Sequence, residues 1–134
     1  MPFVLDASIA ACWAFDDEAH PVAALTLDRI RTDEARVPSL WWFEVRNTLI
    51  VNERRGRLTE ADVSAFLRGL SRLGVTFDRE PDEGVVLMLA RRHRLTVYDA
   101  SYLELANRES LPLATLDTEL ATAARKERLQ LIGD

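Results

Sequence analysis

The chain has 134 residues, 48% hydrophobic and 29% charged, which is the length of one domain with a core large enough to fold unaided. A single cysteine, Cys12, excludes an intrachain disulfide framework and a multi-cysteine zinc site, and it points to a reducing, cytoplasmic setting. The net charge of −5 advertises neither nucleic acid nor an anionic membrane as a partner.

Short apolar runs alternate with longer helical patterns along the chain, the rhythm of an α/β domain with a parallel sheet. Phe3 to Leu5 forms a buried first strand that ends at Asp6. Helices are expected over Ala7 to Phe15 and about Ala19 to Arg31, with Pro21 near a helix start where its missing N–H does no harm. The apolar run Ile9 to Phe15 is the longest, far below the ~20 residues of a membrane span. With no basic flank before it, it does not make a signal peptide either. Arg36 to Pro38 is a short strand. Ser39 is placed to cap a helix running to about Arg55 and closed by Gly56.

Thr59-Glu60-Ala61-Asp62 has the form of a capping box for a helix to about Leu73, ended by Gly74. Val75 to Phe77 is the third strand, and Pro81 to Arg92 is helical. A further helix is expected over Asp99 to Glu109, with Asp99 as its cap. Leu113 to Leu116 is the fourth strand, about Asp117 to Glu127 the last helix, and Leu129 to Ile132 a fifth strand closing the sheet.

Four of the 22 acidic residues sit in unusual surroundings. Asp6 and Asp117 each end an apolar strand, and functional groups of parallel sheets collect at the carboxyl ends of strands. Either alone is explained as a helix cap. Glu44 lies within Leu40-Trp41-Trp42-Phe43-Glu44-Val45, and its neighbours one turn away are Leu40, Trp41, Asn47 and Thr48. With no basic partner on its own helix, it needs an arginine from elsewhere or a cation, because a buried lone carboxylate costs several kcal/mol. Asp99 taken singly is an ordinary cap. Two carboxylates ~5 Å apart repel by ~3 kcal/mol at an effective dielectric of ~20. Four converging at one sheet edge therefore call for protonation or a divalent ion. Oxygen-only ligation selects Mg²⁺ or Mn²⁺, and His20, His93 and Cys12 have no ligand spacing.

At these residues the chain resembles the PIN-domain family, in particular the VapC-type ribonuclease toxins of toxin–antitoxin pairs. The matching pieces are Val4-Leu5-Asp6-Ala7-Ser8, Phe43-Glu44-Val45-Arg46-Asn47, Tyr98-Asp99-Ala100-Ser101-Tyr102-Leu103-Glu104-Leu105-Ala106 and Thr115-Leu116-Asp117-Thr118-Glu119-Leu120. They run in order from one end of the chain to the other, and the third is the most specific. The resemblance implies a single PIN-like domain, a five-stranded parallel sheet flanked by helices. It also implies a Mg²⁺- or Mn²⁺-dependent endoribonuclease whose acidic set is Asp6, Glu44, Asp99 and Asp117. Asp6 and Asp99 would be the principal metal ligands. Ser8 and Thr115 match hydroxyl positions that line the family's pocket. The implied partners are an RNA substrate, a cognate antitoxin protein and a second copy in a homodimer.

Divalent ions can supply activated water and charge relief for phosphodiester hydrolysis without a histidine base. The basic clusters Arg54-Arg55-Gly56-Arg57 and Arg91-Arg92-His93-Arg94 are read as helix C-terminal charges that offset the dipole, with contact to an RNA backbone as the alternative. A phospho-receiver domain would need an acidic pair after the first strand and a late conserved-type lysine. Here the strand ends in one Asp, and the sole lysine, Lys126, lies inside a helix. No G-x-G-x-x-G exists for a dinucleotide. The rival from another class is a non-catalytic PIN-like interaction module, using aromatics such as Trp13, Trp41, Trp42 and Phe43.

Overall fold

Phe3–Leu5 forms β1, and all three residues are completely buried, as a central strand of a parallel sheet covered on both faces requires. The computed structural model describes residues 1–134. Strand β1 lies between β2 (Ala35–Pro38) and β4 (Leu113–Ala114), and β3 (Val75–Asp78) pairs with the outer side of β2. Every pairing is parallel, and the order is β3-β2-β1-β4.

The sheet thus has four strands, not the five expected. Where the fifth was placed, Leu131 makes one isolated parallel bridge to Leu113. Left-handed backbone at Arg128 (φ 61) and Gly133 (φ 96) bounds this segment and leaves too few extended residues for a ladder. Strand β4 is also shorter than expected, because the chain turns away at Thr115, whose side chain bonds at the sheet edge.

Seven helices cover the sheet. They are α1 (Ala7–Cys12), α2 (Pro21–Arg29), α3 (Leu40–Arg54), α4 (Glu60–Leu70), α5 (Glu83–His93), α6 (Val97–Glu109) and α7 (Thr118–Lys126). The capping box at α4 forms as its sequence predicts, with Thr59 and Asp62 bonding reciprocally. Gly56 ends the turn after α3 at φ 78, a conformation that an L side chain rarely adopts. His20 caps α2 through Nδ1, so it has a structural task. Ser39 makes no side-chain cap bond to α3.

Helix α6 is the spine of the domain. Ala100 to Ala106 are buried without a break, and the helix packs on α5, α7, β1 and β2. Only a helix enclosed on nearly all sides tolerates so long a buried run. Within it, Glu104 is 1% exposed and is bound by Arg108 Nε at 2.7 Å and by the Asp82 backbone N–H at 3.1 Å. No helix is long and apolar enough to cross a membrane.

Candidate active site

The carboxyl ends of β1 and β4 lie side by side, so the residues that follow them meet. Asp6 leaves β1 almost fully buried, at 6% exposure. It occupies the cap position of α1 but makes no cap bond, so helix capping does not account for it. Its carboxylate instead accepts Ser8 Oγ at 2.7 Å and Thr115 Oγ1 at 2.6 Å, 109 residues away. Both hydroxyls donate to Oδ2 and leave Oδ1 free of them. Each hydroxyl is fixed in turn, Ser8 Oγ by the Leu116 N–H at 3.1 Å and Thr115 Oγ1 by the Asp117 N–H at 3.0 Å.

Asp117 caps α7 as expected, its Oδ1 accepting the Leu120 N–H at 3.0 Å. Asp99 is a correction. Thr96 caps α6 by accepting the Asp99 backbone N–H at 3.1 Å, and Asp99 stands three positions into the helix. Its carboxyl is therefore not needed to cap. Glu44, half-buried on α3, finds neither an arginine nor another basic group. The fully buried Tyr102 hydroxyl donates to its Oε1 at 2.6 Å.

The electrostatics tie these groups together. Burial pushes Asp99 up to about 6 from 3.8, with the charges of Asp117, Asp6 and Glu119 adding to it. Burial raises Asp6 too, and the Asp117 charge adds to that, against the hydroxyl bonds from Thr115 and Ser8. Glu44 is raised by burial and by Asp6 and Asp99, partly offset by the Tyr102 bond. Burial, with Asp6 and Glu44, holds Tyr102 as a neutral donor. None of the four carboxylates enters any of the protein's ion pairs. Asp6, Glu44 and Asp99 are raised with no cation to compensate.

All four residues anticipated from the sequence are thus brought to one region, together with Ser8 and Thr115. Two members were not anticipated. Glu119 acts on Asp99 from the first turn of α7, and its position two residues after Asp117 was the available signal. Tyr102 lies one turn after Asp99, a helical spacing that puts both on neighbouring parts of one face. Tyr102→Phe is expected to raise the Glu44 pKa further, since it removes the hydrogen bond that lowers it. The acidic limb of a pH–activity profile should move upward, with a stability loss of about 1 kcal/mol. An unshifted profile would show that Glu44 does not titrate in the reaction.

An open groove of about 480 Å³ leads from Ser8 and Leu116 past Thr48 and Asn52 to Arg57. Arg57 is tied down there by Asn52, Asp17 and Glu18 and lies over the Phe15 ring. Both basic clusters fall at helix C-termini, after α3 and α5.

A hard divalent ion suits this set by chemistry: the donors are all oxygen, unpaired and mutually repelling. Asp6, Glu44 and Asp117 each have one oxygen engaged in the bonds described and a second outside them. No group of three or more Asp, Glu, His or Cys side chains is placed so that together they could hold a metal ion. Mg²⁺ does not demand such a group, since it retains several waters and commonly takes only one or two carboxylates directly.

The model of the PIN domain family matches residues 3–126, which takes in all six residues anticipated for the site. The chain belongs to the PIN-domain family. Ribonuclease VapC3 of Pyrobaculum aerophilum is 32% identical over 124 residues, covering 90% of this chain and 93% of the relative. That relative marks this PIN domain as VapC-type. The crystal structure of PAE2754 from the same organism superposes with a TM-score of 0.73 at 26% identity, over 92% of this chain and 84% of the other. FitAcB from Neisseria gonorrhoeae shares the fold with a TM-score of 0.59 at 17% identity, over 99% and 97%.

Proposed function

We propose that this PIN-domain protein is a Mg²⁺- or Mn²⁺-dependent endoribonuclease, the toxin of a toxin–antitoxin pair. The observation that carries the reading is the set of four carboxylates at one sheet edge without a single basic partner. Its likeness to a VapC ribonuclease along nearly the whole chain supports the substrate class.

Asp6 and Asp99 would be the principal metal ligands, with Glu44 and Asp117 binding directly or through water. A divalent ion bound there supplies charge relief at the phosphoryl oxygens and an acidified water. The chain's own residues provide the preorganisation. Ser8 and Thr115 fix the rotation of the Asp6 carboxylate through Oδ2, Tyr102 fixes Glu44, and the Leu120 N–H fixes Asp117. Asp99, with its pKa near 6, would hold such an ion in its ionised form, the form that predominates at neutral pH.

The partners in this reading are RNA, a cognate antitoxin protein and a second copy of the chain, in the cytoplasm. Trp42 and Phe43, exposed on α3 directly before Glu44, suit a protein contact beside the site, whereas Trp41 is buried in the core. An interaction module without catalysis would use the same aromatics but would leave the clustered acids unexplained.

The test is incubation of the purified protein with single-stranded RNA in Mg²⁺, in Mn²⁺ and in excess chelator. Cleavage is expected in both metals and should disappear in chelator, returning when the metal is restored. Undiminished cleavage in chelator would remove the metal mechanism, and absence of cleavage in every condition would favour the interaction module.

A further inference from the structure

An open cavity of about 310 Å³ lies between the end of α5 and one face of α7, lined by His93, Arg94, Thr118, Glu119, Thr122 and Lys126, with Ala123 its one apolar wall residue. The sequence reads the Arg91–Arg94 cluster as dipole-offsetting charge, a role that requires no cavity, with contact to an RNA backbone as the alternative. The structure separates its members. Arg92 and His93 both bind Glu127, at 2.9 Å and 2.6 Å, and the His93 side chain is only 6% exposed. Arg94 and Lys126 enter no ion pair at all. The cavity therefore holds two uncommitted cations beside two threonines, in a protein whose net charge is −5.

It also adjoins the acidic site. Thr118 and Glu119 follow Asp117 directly, and the Glu119 charge reaches Asp99. Only Leu95 and Thr96 separate Arg94 from α6, at the helix end that carries Asp99. Tyr98, adjacent to Asp99, is 62% exposed. Two free cations in a cavity that adjoins the acidic site, with an exposed ring next in sequence to Asp99, suit a nucleic-acid strand better than an acidic peptide. Phosphates are held by such cations, and unpaired bases stack on such rings.

We propose that this cavity seats a backbone phosphate of single-stranded RNA flanking the one that is cleaved, held by Arg94 and Lys126. The proposal rests on the ribonuclease reading and adds to it the direction in which the strand leaves the site. An acidic protein that must bind a polyanion gains from unpaired cations placed in a cavity beside the acidic site.

The test is fluorescence anisotropy with a labelled 20-nucleotide single-stranded RNA of mixed sequence, in chelator so that nothing is cleaved, across a salt series. Each cation that neutralises a phosphate contributes about 0.7 to the slope of log K against log salt. The double variant Arg94→Gln/Lys126→Gln should bind several-fold more weakly, with a slope shallower by about 1.4. Its melting temperature and its stabilisation by Mg²⁺ should match the natural protein, since neither side chain makes an ion pair. Unchanged affinity and slope, in a protein that does cleave RNA in Mg²⁺, would overturn the cavity assignment alone. Loss of binding to polyglutamate with RNA binding intact would make the cavity a protein contact and overturn it as well. If the natural protein neither binds nor cleaves RNA, the ribonuclease reading falls together with it.

Discussion

Asp99→Asn is expected to reduce metal-dependent RNA cleavage by ~10²-fold or more, the scale of losing one preorganised charge-stabilising group. The metal-free variant should nevertheless melt at or above the natural protein at about pH 7.5, although most substitutions destabilise by ~1 kcal/mol. The reason is that Asp99 is not the cap of α6, since Thr96 is, and the Thr96 bond to its carboxylate does not outweigh what raises its pKa. Burial and the charges of Asp117, Asp6 and Glu119 raise its pKa to about 6. A raised carboxyl contributes stability that is complete below about pH 4 and is lost as the pH climbs through about 6. Solvent reaches Asp99, so the loss is of order 1 kcal/mol and not the full value of the shift. Asparagine cannot ionise, so the variant keeps what the natural protein loses.

Removing the charge also forfeits ~0.3–1 kcal/mol of helix-dipole interaction in the first turn, which trims the gain. The advantage of the variant should disappear on acidification below about pH 4, where Asp99 is protonated anyway. Magnesium should act the other way. At ten times its dissociation constant it should stabilise the natural protein by ~1.4 kcal/mol, or roughly 3–5 °C, and the variant much less. Paired melts in chelator and in Mg²⁺ at matched ionic strength check all of this. Should the variant melt well below the natural protein and respond equally to Mg²⁺, Asp99 is structural and the acidic site loses its central member.

Glu104→Ala should have the largest effect on stability, about 3 kcal/mol and roughly 10 °C in melting temperature. Its carboxylate is 1% exposed and holds Arg108 through Nε at 2.7 Å and through a terminal nitrogen at 3.2 Å. It also accepts the Asp82 N–H at the start of α5. Alanine strands both donors and opens a void beside the best-buried helix. Arg108 can turn toward Asp78, which it already binds at 2.7 Å, so the cost falls at the low end for a broken buried pair. Glu104→Gln keeps an acceptor for the Asp82 N–H and should cost about 1–2 kcal/mol. RNA cleavage by the folded fraction should be unaffected. A melting temperature for Glu104→Ala within a degree or two of the natural one would refute this role.

The contrast between Asp99 and Glu104 shows what could be read from the sequence. Both are acids in the same matching segment, and nothing in their spacing tells a site residue from a staple. Arg108, one turn after Glu104, was the available sign of pairing. Asp6 and Asp117 were legible because a strand end in a parallel sheet is a place fixed by local pattern. The Asp99 cap was misplaced although Thr96-Val97-Tyr98-Asp99 is itself the pattern of a capping box. The partner of Glu44 could not be read, because Tyr102 lies 58 residues away and meets it only through tertiary packing. The fifth strand failed for a local reason: backbone at Arg128 and Gly133 took left-handed turns that residue type alone did not announce at Arg128.

The clamp on Asp6 has a temporal side. Its Thr115 partner is 109 residues further along the chain, and β1 lies between strands that are made early and late. At roughly 5–20 residues per second, a ribosome emits Asp6 about 5–20 s before Thr115. During that interval the leading carboxylate lacks the hydroxyl that orients it, and Asp117 does not yet exist. An enzyme that cuts RNA would thus have its cutting edge completed only after most of this domain has been made.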